Sequence, residues 1–147
     1  MEFINSSSNY FLNKSTYINL RWIGIIGQFL TINIVAFVFK FEFNYILSNV
    51  IVIFGAVSNI FLINYNRSTQ LSNKIAFYYL LADILQLSLL LYLTGGILNP
   101  FSVFLIIPSV FASSNLNIKT NLILILITIL SISCLLYTSD AADEQQR

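Results

Sequence analysis

Hydrophobic residues fall into five long apolar runs separated by short polar connections. The runs cover residues 22–39, 45–65, 75–93, 101–114 and 121–137. A helix needs about 20 predominantly apolar residues to cross the hydrocarbon core of a bilayer. The pattern therefore predicts an all-α integral membrane protein, built as a bundle of five transmembrane helices. The fourth run is the shortest, and Pro108 within it predicts a kink.

Composition supports the membrane class and narrows the chemistry. Hydrophobic residues make up 57% of the 147 positions and charged residues 9%, against about 25% charged in an ordinary soluble domain. A net charge of +1 provides no basic surface for nucleic acid. One cysteine and no histidine leave no Cys/His metal cluster and no nucleophile pair. We therefore expect no nucleic acid partner, no bound metal and no catalytic residue in this chain.

The distribution of basic residues predicts the orientation, because such residues are retained on the cytoplasmic side. Those near the membrane lie mostly on one side of the five-helix arrangement: Lys14, Arg21, Arg67, Lys74 and Lys119. Lys40 lies on the other side. The amino terminus is therefore predicted to be cytoplasmic, with residues 1–20 as a polar tail and residues 21–133 as the membrane domain.

Residues 134–147 differ in composition from the rest of the chain, which is rich in Ile, Asn and Phe. The run from Cys134 to Glu144 resembles the conceptual translation of a transposase-type sequencing adapter. The alternative is a genuine polar tail after the fifth helix. We expect a non-native tail that contributes nothing to folding or binding, and a gene that continues beyond this point.

A chargeless polar turn, residues 94–101, connects the third and fourth runs on the predicted outer side. It has an architectural explanation: Gly95 or Gly96 ends one helix, Asn99 caps the next, and Pro100 occupies its first turn. It also suits a small, uncharged ligand that carries a carbonyl group. The glycines permit close approach to the backbone, and the Asn99 amide can hydrogen-bond the carbonyl. The two explanations are compatible.

Three segments, residues 20–28, 83–87 and 91–101, resemble in order the sensor region of RegB-type (PrrB-type) redox-sensing histidine kinases. The sharpest element is the complete GGxxNPF heptapeptide at residues 95–101. The resemblance implies that ubiquinone binds as a ligand at Gly95, Gly96, Asn99, Pro100 and Phe101. In this interpretation Asn99 donates to a quinone carbonyl and Phe101 packs on the ring.

The same resemblance implies a larger parent protein in the bacterial inner membrane. Members of that family have six transmembrane helices, followed by a dimerisation helix with the phosphorylated histidine and by an ATP-binding domain. None of those cytoplasmic parts is present in this sequence. The implied parent is a homodimeric protein histidine kinase that signals to a response regulator.

Asp83 is the only acidic or basic side chain well inside a predicted helix. An isolated carboxylate at that depth costs several kcal/mol unless it is paired, protonated or hydrated. Asp83 and Gln86 one turn later are therefore assigned either to helix packing or to signalling. Gln28 is a hypothetical partner of Asp83. Arg21 and Trp22 are interpreted as an interface anchor, with the guanidinium at the headgroups and the indole in the aromatic belt.

The alternative function is a small transporter or channel subunit with a polar path around Asp83. A transporter of this kind is expected to carry more charge within the membrane, or a repeat between its two halves. The sequence shows neither feature. A sensor domain is therefore the favoured hypothesis.

Overall fold

A computed structural model describes residues 12–40, 42–65 and 69–145 of the protein. The described residues form five α-helices: α1 (Lys14–Phe37), α2 (Tyr45–Asn64), α3 (Asn73–Leu93), α4 (Ile106–Asn115) and α5 (Ile118–Gln145). They also form two short 3₁₀ helices and a two-stranded antiparallel sheet: Gly96–Leu98, Pro100–Leu105, β1 (Leu12–Asn13) and β2 (Gln70–Leu71). The predicted tail up to residue 11 and the basic residue Arg67 lie outside the described residues.

Within the described residues, four helices are long and apolar enough to cross a membrane: Lys14–Phe37, Tyr45–Asn64, Asn73–Leu93 and Ile118–Ala141. They contain 20 to 24 residues, which corresponds to about 30 to 36 Å at a rise of about 1.5 Å per residue. A bilayer core is about 30 Å thick. The structure therefore confirms the all-α class of a multi-pass membrane protein.

The fourth predicted helix is a composite of two helix types. Its apolar segment, Pro100–Asn115, is shorter than the other four. Six residues form the second 3₁₀ helix and ten form α4. A 3₁₀ helix rises about 2.0 Å per residue against about 1.5 Å for an α-helix, so the segment is about 27 Å long. Pro108 lies in the first turn of α4, where its missing N–H breaks no α-helical hydrogen bond.

Helix α1 begins at Lys14, inside the segment that the sequence assigned to the polar tail. The Asn13 side chain caps the helix by accepting from the backbone N–H groups of Ser15 and Thr16, at 3.1 and 3.4 Å. β1, which precedes the cap, pairs with β2 ahead of α3. Hydropathy placed the start of the helix too late because a polar first turn and a side-chain cap carry no hydrophobic signal.

Polar contacts gather several helix ends at one end of the bundle. The Lys14 Nζ donates to the carbonyls of Ile63 and Tyr65, at 3.1 and 2.9 Å, where α2 ends. A cation at that position satisfies carbonyls that have no partner within the helix. The Asn73 Nδ2 donates to the Thr120 Oγ1 at 2.7 Å and joins the start of α3 to the start of α5. Basic residues at the starts of α1, α3 and α5 therefore share one end of the bundle.

Helix α3 is central, since it packs against α2 and also against α4 and α5. The main hydrophobic cluster includes Leu80, Ile84 and Leu91 from α3, and Leu124 and Leu135 from α5. Helix α5 continues past the predicted boundary at residue 134 without a break. Residues 138–145 contain no Gly or Pro that would end it. Leu135 is 4% exposed, so the predicted tail contributes at least one side chain to the core.

The predicted orientation is testable by cysteine labelling in a Cys134→Ser background. Ser72, just before α3, and Leu98, in the loop after α3, lie at opposite ends of one helix. With the amino terminus inside, Leu98→Cys reacts with a membrane-impermeant maleimide in intact cells, and Ser72→Cys reacts only after the membrane is opened. If Ser72→Cys is labelled from outside and Leu98→Cys is not, the predicted orientation is wrong and the amino terminus lies outside.

Truncation tests whether the end of α5 contributes to folding. Among the residues whose burial the structure describes, deleting residues 138–147 removes none from the hydrophobic core. Membrane insertion and resistance to unfolding in detergent are therefore expected to stay unchanged. Leu135→Ala is the contrasting variant, because truncating a buried Leu costs about 2 to 5 kcal/mol. Equal stability of Leu135→Ala and the unmutated chain would show that α5 does not pack here.

Candidate functional site

The loop after α3 takes its shape from two glycines. Gly95 has φ of +118° and Gly96 has φ of +63°, a region that side-chain-bearing residues rarely adopt. A Cβ atom built on Gly95 would meet no atom within 4 Å, whereas one on Gly96 would lie 4.0 Å from the Leu135 carbonyl oxygen. Backbone conformation therefore requires glycine at residue 95, and the space beside it is open.

Asn99 connects both ends of the loop. Its Oδ1 accepts from the Phe101 N–H at 2.9 Å. Its Nδ2 donates to the Thr94 Oγ1 at 2.9 Å and to the Thr94 carbonyl at 3.2 Å. Pro100 is the first residue of the 3₁₀ helix that Asn99 caps. The architectural explanation of the motif is thus confirmed, and Thr94 is a partner of Asn99 that the sequence did not predict.

The loop presents an aromatic pair on its surface. Phe101 is 37% exposed and Phe104 is 45% exposed, and their ring centroids are 5.7 Å apart. Residues three apart lie above one another in a 3₁₀ helix, so the helix type places the two rings together. Phe104 follows the heptapeptide and was not among the predicted site residues. The 3₁₀ conformation that would have identified it is not visible in a hydrophobic pattern.

A second polar site lies between α1, α2 and α3. The Arg21 Nη2 is 2.8 Å from the Asp83 Oδ1, and the Arg21 Nε donates to the same oxygen at 2.9 Å. The Tyr17 hydroxyl donates to the other carboxylate oxygen of Asp83 at 2.5 Å. The remaining Arg21 hydrogen bonds go to Asn59 and Ser58, at 3.3 and 3.1 Å. The guanidinium and the carboxylate are therefore a hydrogen-bonded ion pair.

The surroundings of Arg21 complete the desolvation of its charge. The residue is 7% exposed. The Arg21 Cζ lies 5.6 Å from the ring centroid of Tyr17 and 5.4 Å from that of Tyr79, distances at which a cation is attracted to an aromatic face. Tyr17 in turn stacks on Phe111 of α4, with centroids 5.9 Å apart. The ion pair thus connects four of the five described helices.

Two sequence-based interpretations are wrong at this site. Arg21 turns into the bundle rather than outward as an anchor, because Asp83 provides a partner for its charge. Gln28 does not contact Asp83 but accepts a hydrogen bond from the Gln86 Nε2 at 3.3 Å. Trp22 is half-buried and packs beside a smaller cluster of α1, α2 and α3. The missed pairing has a sequence signal: Lys14, Arg21 and Gln28 recur every seven residues, the spacing of one helix face.

Gln86 has room only because α2 carries glycine opposite it. A Cβ atom at Gly55 would lie 2.5 Å from both terminal atoms of the Gln86 amide. Small residues at helix contacts in membranes allow such close packing, and amide pairs join helices across them. Gln28, Gly55 and Gln86 therefore form a second contact layer above the ion pair.

Comparison with known proteins gives one significant relative. The sensor histidine kinase RegB of Cereibacter sphaeroides is 32% identical to this chain over 112 residues. The matched part is 74% of this chain and 24% of the relative, so the chain spans about a quarter of the curated relative's length. No protein-family model matches the chain, and no solved structure matches it significantly.

The ion pair yields a stability prediction. Arg21→Met leaves the Asp83 carboxylate without its cation, and removing one partner of a buried pair typically costs about 3 to 5 kcal/mol. The double variant Arg21→Met with Asp83→Leu leaves no charge at this site. Its free energy of unfolding is expected to fall less than that of Arg21→Met alone. The measurement is the free energy of unfolding in mixed micelles, with exposed Lys74→Met as the control for removing a cation. If the double variant loses as much stability as the two single variants lose together, the coupling between Arg21 and Asp83 is refuted.

Proposed function

We propose that this chain is the membrane-embedded sensor region of a redox-responsive histidine kinase. The similarity to part of RegB and the four apolar helices of membrane-spanning length support this proposal. In this proposal the parent protein lies in the bacterial inner membrane as a homodimer. The kinase region of that parent acts on a response regulator in a two-component system.

The proposed ligand is ubiquinone, bound at the loop formed by Gly95, Gly96, Asn99, Pro100 and Phe101. The observation that carries the proposal is the open space beside the Gly95 backbone, in a loop that also exposes the Phe101 ring. The loop is chargeless and follows directly after a helix of membrane-spanning length. A lipid-soluble quinone headgroup, which is planar and uncharged, suits such a boundary position.

A ligand can bias the bundle only through different affinities for two helix arrangements. The loop is attached to α3 through Thr94, and it lies against α5 near Leu135. Oxidised and reduced quinone differ in hydrogen bonding, because the carbonyls only accept whereas the hydroxyls also donate. Binding at the loop would therefore act on α3 and α5, which both contribute to the main hydrophobic cluster. Asp83 and Gln86 lie on α3 as contacts through which such a change would reach α1 and α2.

The transporter or channel hypothesis gains no support from the described contacts. Both carboxylate oxygens of Asp83 are bound by protein groups, Arg21 and Tyr17. The amides of Gln28 and Gln86 are bonded to each other. Polar side chains arranged in this way join helices, so the sensor hypothesis remains the better supported one.

Quinone titration of the purified protein in nanodiscs tests the proposal. Asn99→Ala is expected to weaken binding about two- to thirteenfold, the equivalent of one neutral hydrogen bond of about 0.5 to 1.5 kcal/mol. Phe101→Ala is expected to weaken binding through lost packing on the ring. Asp83→Asn leaves the loop intact, so the folded protein is expected to bind as the unmutated chain does.

Phe54→Ala is the matched control for Phe101→Ala, because Phe54 is 72% exposed on α2, away from the loop. It should leave quinone affinity unchanged. Absence of saturable binding to the unmutated chain would refute ubiquinone as the ligand. Unchanged affinity in both Asn99→Ala and Phe101→Ala would refute the loop as its site.

A further inference from the structure

The hydrogen bonds of Asn99 raise a question about its role in the proposed quinone site. Its amide group has two hydrogens, and Thr94 provides two acceptors for them, Oγ1 at 2.9 Å and the carbonyl at 3.2 Å. Its Oδ1 is bound by the Phe101 N–H. The Thr94 Oγ1 donates its own hydrogen to the Leu90 carbonyl at 2.9 Å. Both ends of the Asn99 side chain are therefore already bonded within the protein.

Donation from Asn99 to a quinone would exchange one neutral hydrogen bond for another. Such an exchange has little net free energy, since both bonds are of similar strength. It would also remove a donor from the Thr94 carbonyl, which follows the last turn of α3 and lacks a helical partner. The hydrogen bonds of Asn99 within the protein thus oppose a direct bond from its amide to the ligand.

We infer, on the basis of the proposed function, that Asn99 braces the loop, that Thr94 is the positioning residue that holds it, and that Phe104 joins Phe101 in binding the quinone ring. The brace fixes the start of the 3₁₀ helix that carries both phenylalanines. Aromatic rings with centroids about 4.5 to 7 Å apart attract each other beyond their area burial. A quinone ring is recognised here by an exposed aromatic pair beside an open glycine backbone, and not by the Asn99 amide.

The first test compares Thr94→Val with Thr94→Ser in quinone titrations in nanodiscs. Valine matches threonine in shape but lacks the hydroxyl, whereas serine retains it. Thr94→Val is expected to weaken binding by up to about tenfold, the equivalent of one neutral hydrogen bond, and Thr94→Ser to restore it. Ser88→Ala is the matched control, because Ser88 also donates to a carbonyl one turn earlier on α3, at 2.7 Å, but lies away from the loop.

The second test separates a brace from a direct donor. A brace supports oxidised and reduced ubiquinone alike, so Asn99→Ala should lower both affinities by the same factor and leave their ratio unchanged. Combining Thr94→Val with Asn99→Ala should weaken binding no further than Asn99→Ala alone. Both substitutions remove the same hydrogen bond, between the Asn99 Nδ2 and the Thr94 Oγ1. Phe104→Leu, which keeps an apolar side chain without a ring, should weaken binding several-fold, whereas Phe54→Leu should not.

Three results would overturn the inference while leaving the proposed function intact. They are a loss of affinity for oxidised quinone only in Asn99→Ala, tighter quinone binding in Thr94→Val, and unchanged quinone binding in Phe104→Leu. The first two would identify the Asn99 amide as a donor for which Thr94 competes. A lack of saturable binding to the unmutated chain would instead remove the proposed function, and this inference with it.

Discussion

The ion pair between Arg21 and Asp83 is the interaction on which the helix arrangement depends. A single charge inside a bilayer is costly, and a hydrogen-bonded partner of opposite charge removes most of that cost. Arg21 also donates to Asn59 and Ser58 on α2, and Asp83 accepts from Tyr17 on α1. The pair therefore specifies how three helices meet. The Gln28 and Gln86 amides repeat the same contact one layer away, where Gly55 gives them room.

Helix α3 carries both the ion pair and the loop. Asp83 and Thr94 are eleven positions apart on it, which is about 16 Å along the helix axis. A continuous helix transmits axial displacement or rotation between such points, provided that its ends have two alternative sets of contacts. The braced loop lies at one end of α3, and the charged contact lies near its middle.

Local features of the chain were predictable to the extent that they depend on neighbours in sequence. Apolar runs located the membrane helices, and the Gly, Asn and Pro residues of the heptapeptide predicted a glycine turn followed by a cap. The start of α1 was missed because Asn13 caps a polar first turn. The fourth predicted helix differed because its first six residues form a 3₁₀ helix. This conformation makes the sixteen-residue segment longer and brings Phe104 next to Phe101. The predicted boundary at residue 134 has no counterpart in α5, since helix propensity continues across it.

The sequence by itself determined the membrane class, the approximate helices and the shape of the loop, because hydropathy and turn chemistry act over a few residues. Only the tertiary structure decided which polar groups meet. Arg21 and Asp83 are 62 residues apart, and their pairing depends on how α1 and α3 face each other across α2. An arginine at the edge of an apolar run has the same local pattern whether it anchors at headgroups or turns inward. The choice is made by the partner that the fold brings near, because the free energy of a charge in a membrane depends on its neighbours and not on its position in the sequence.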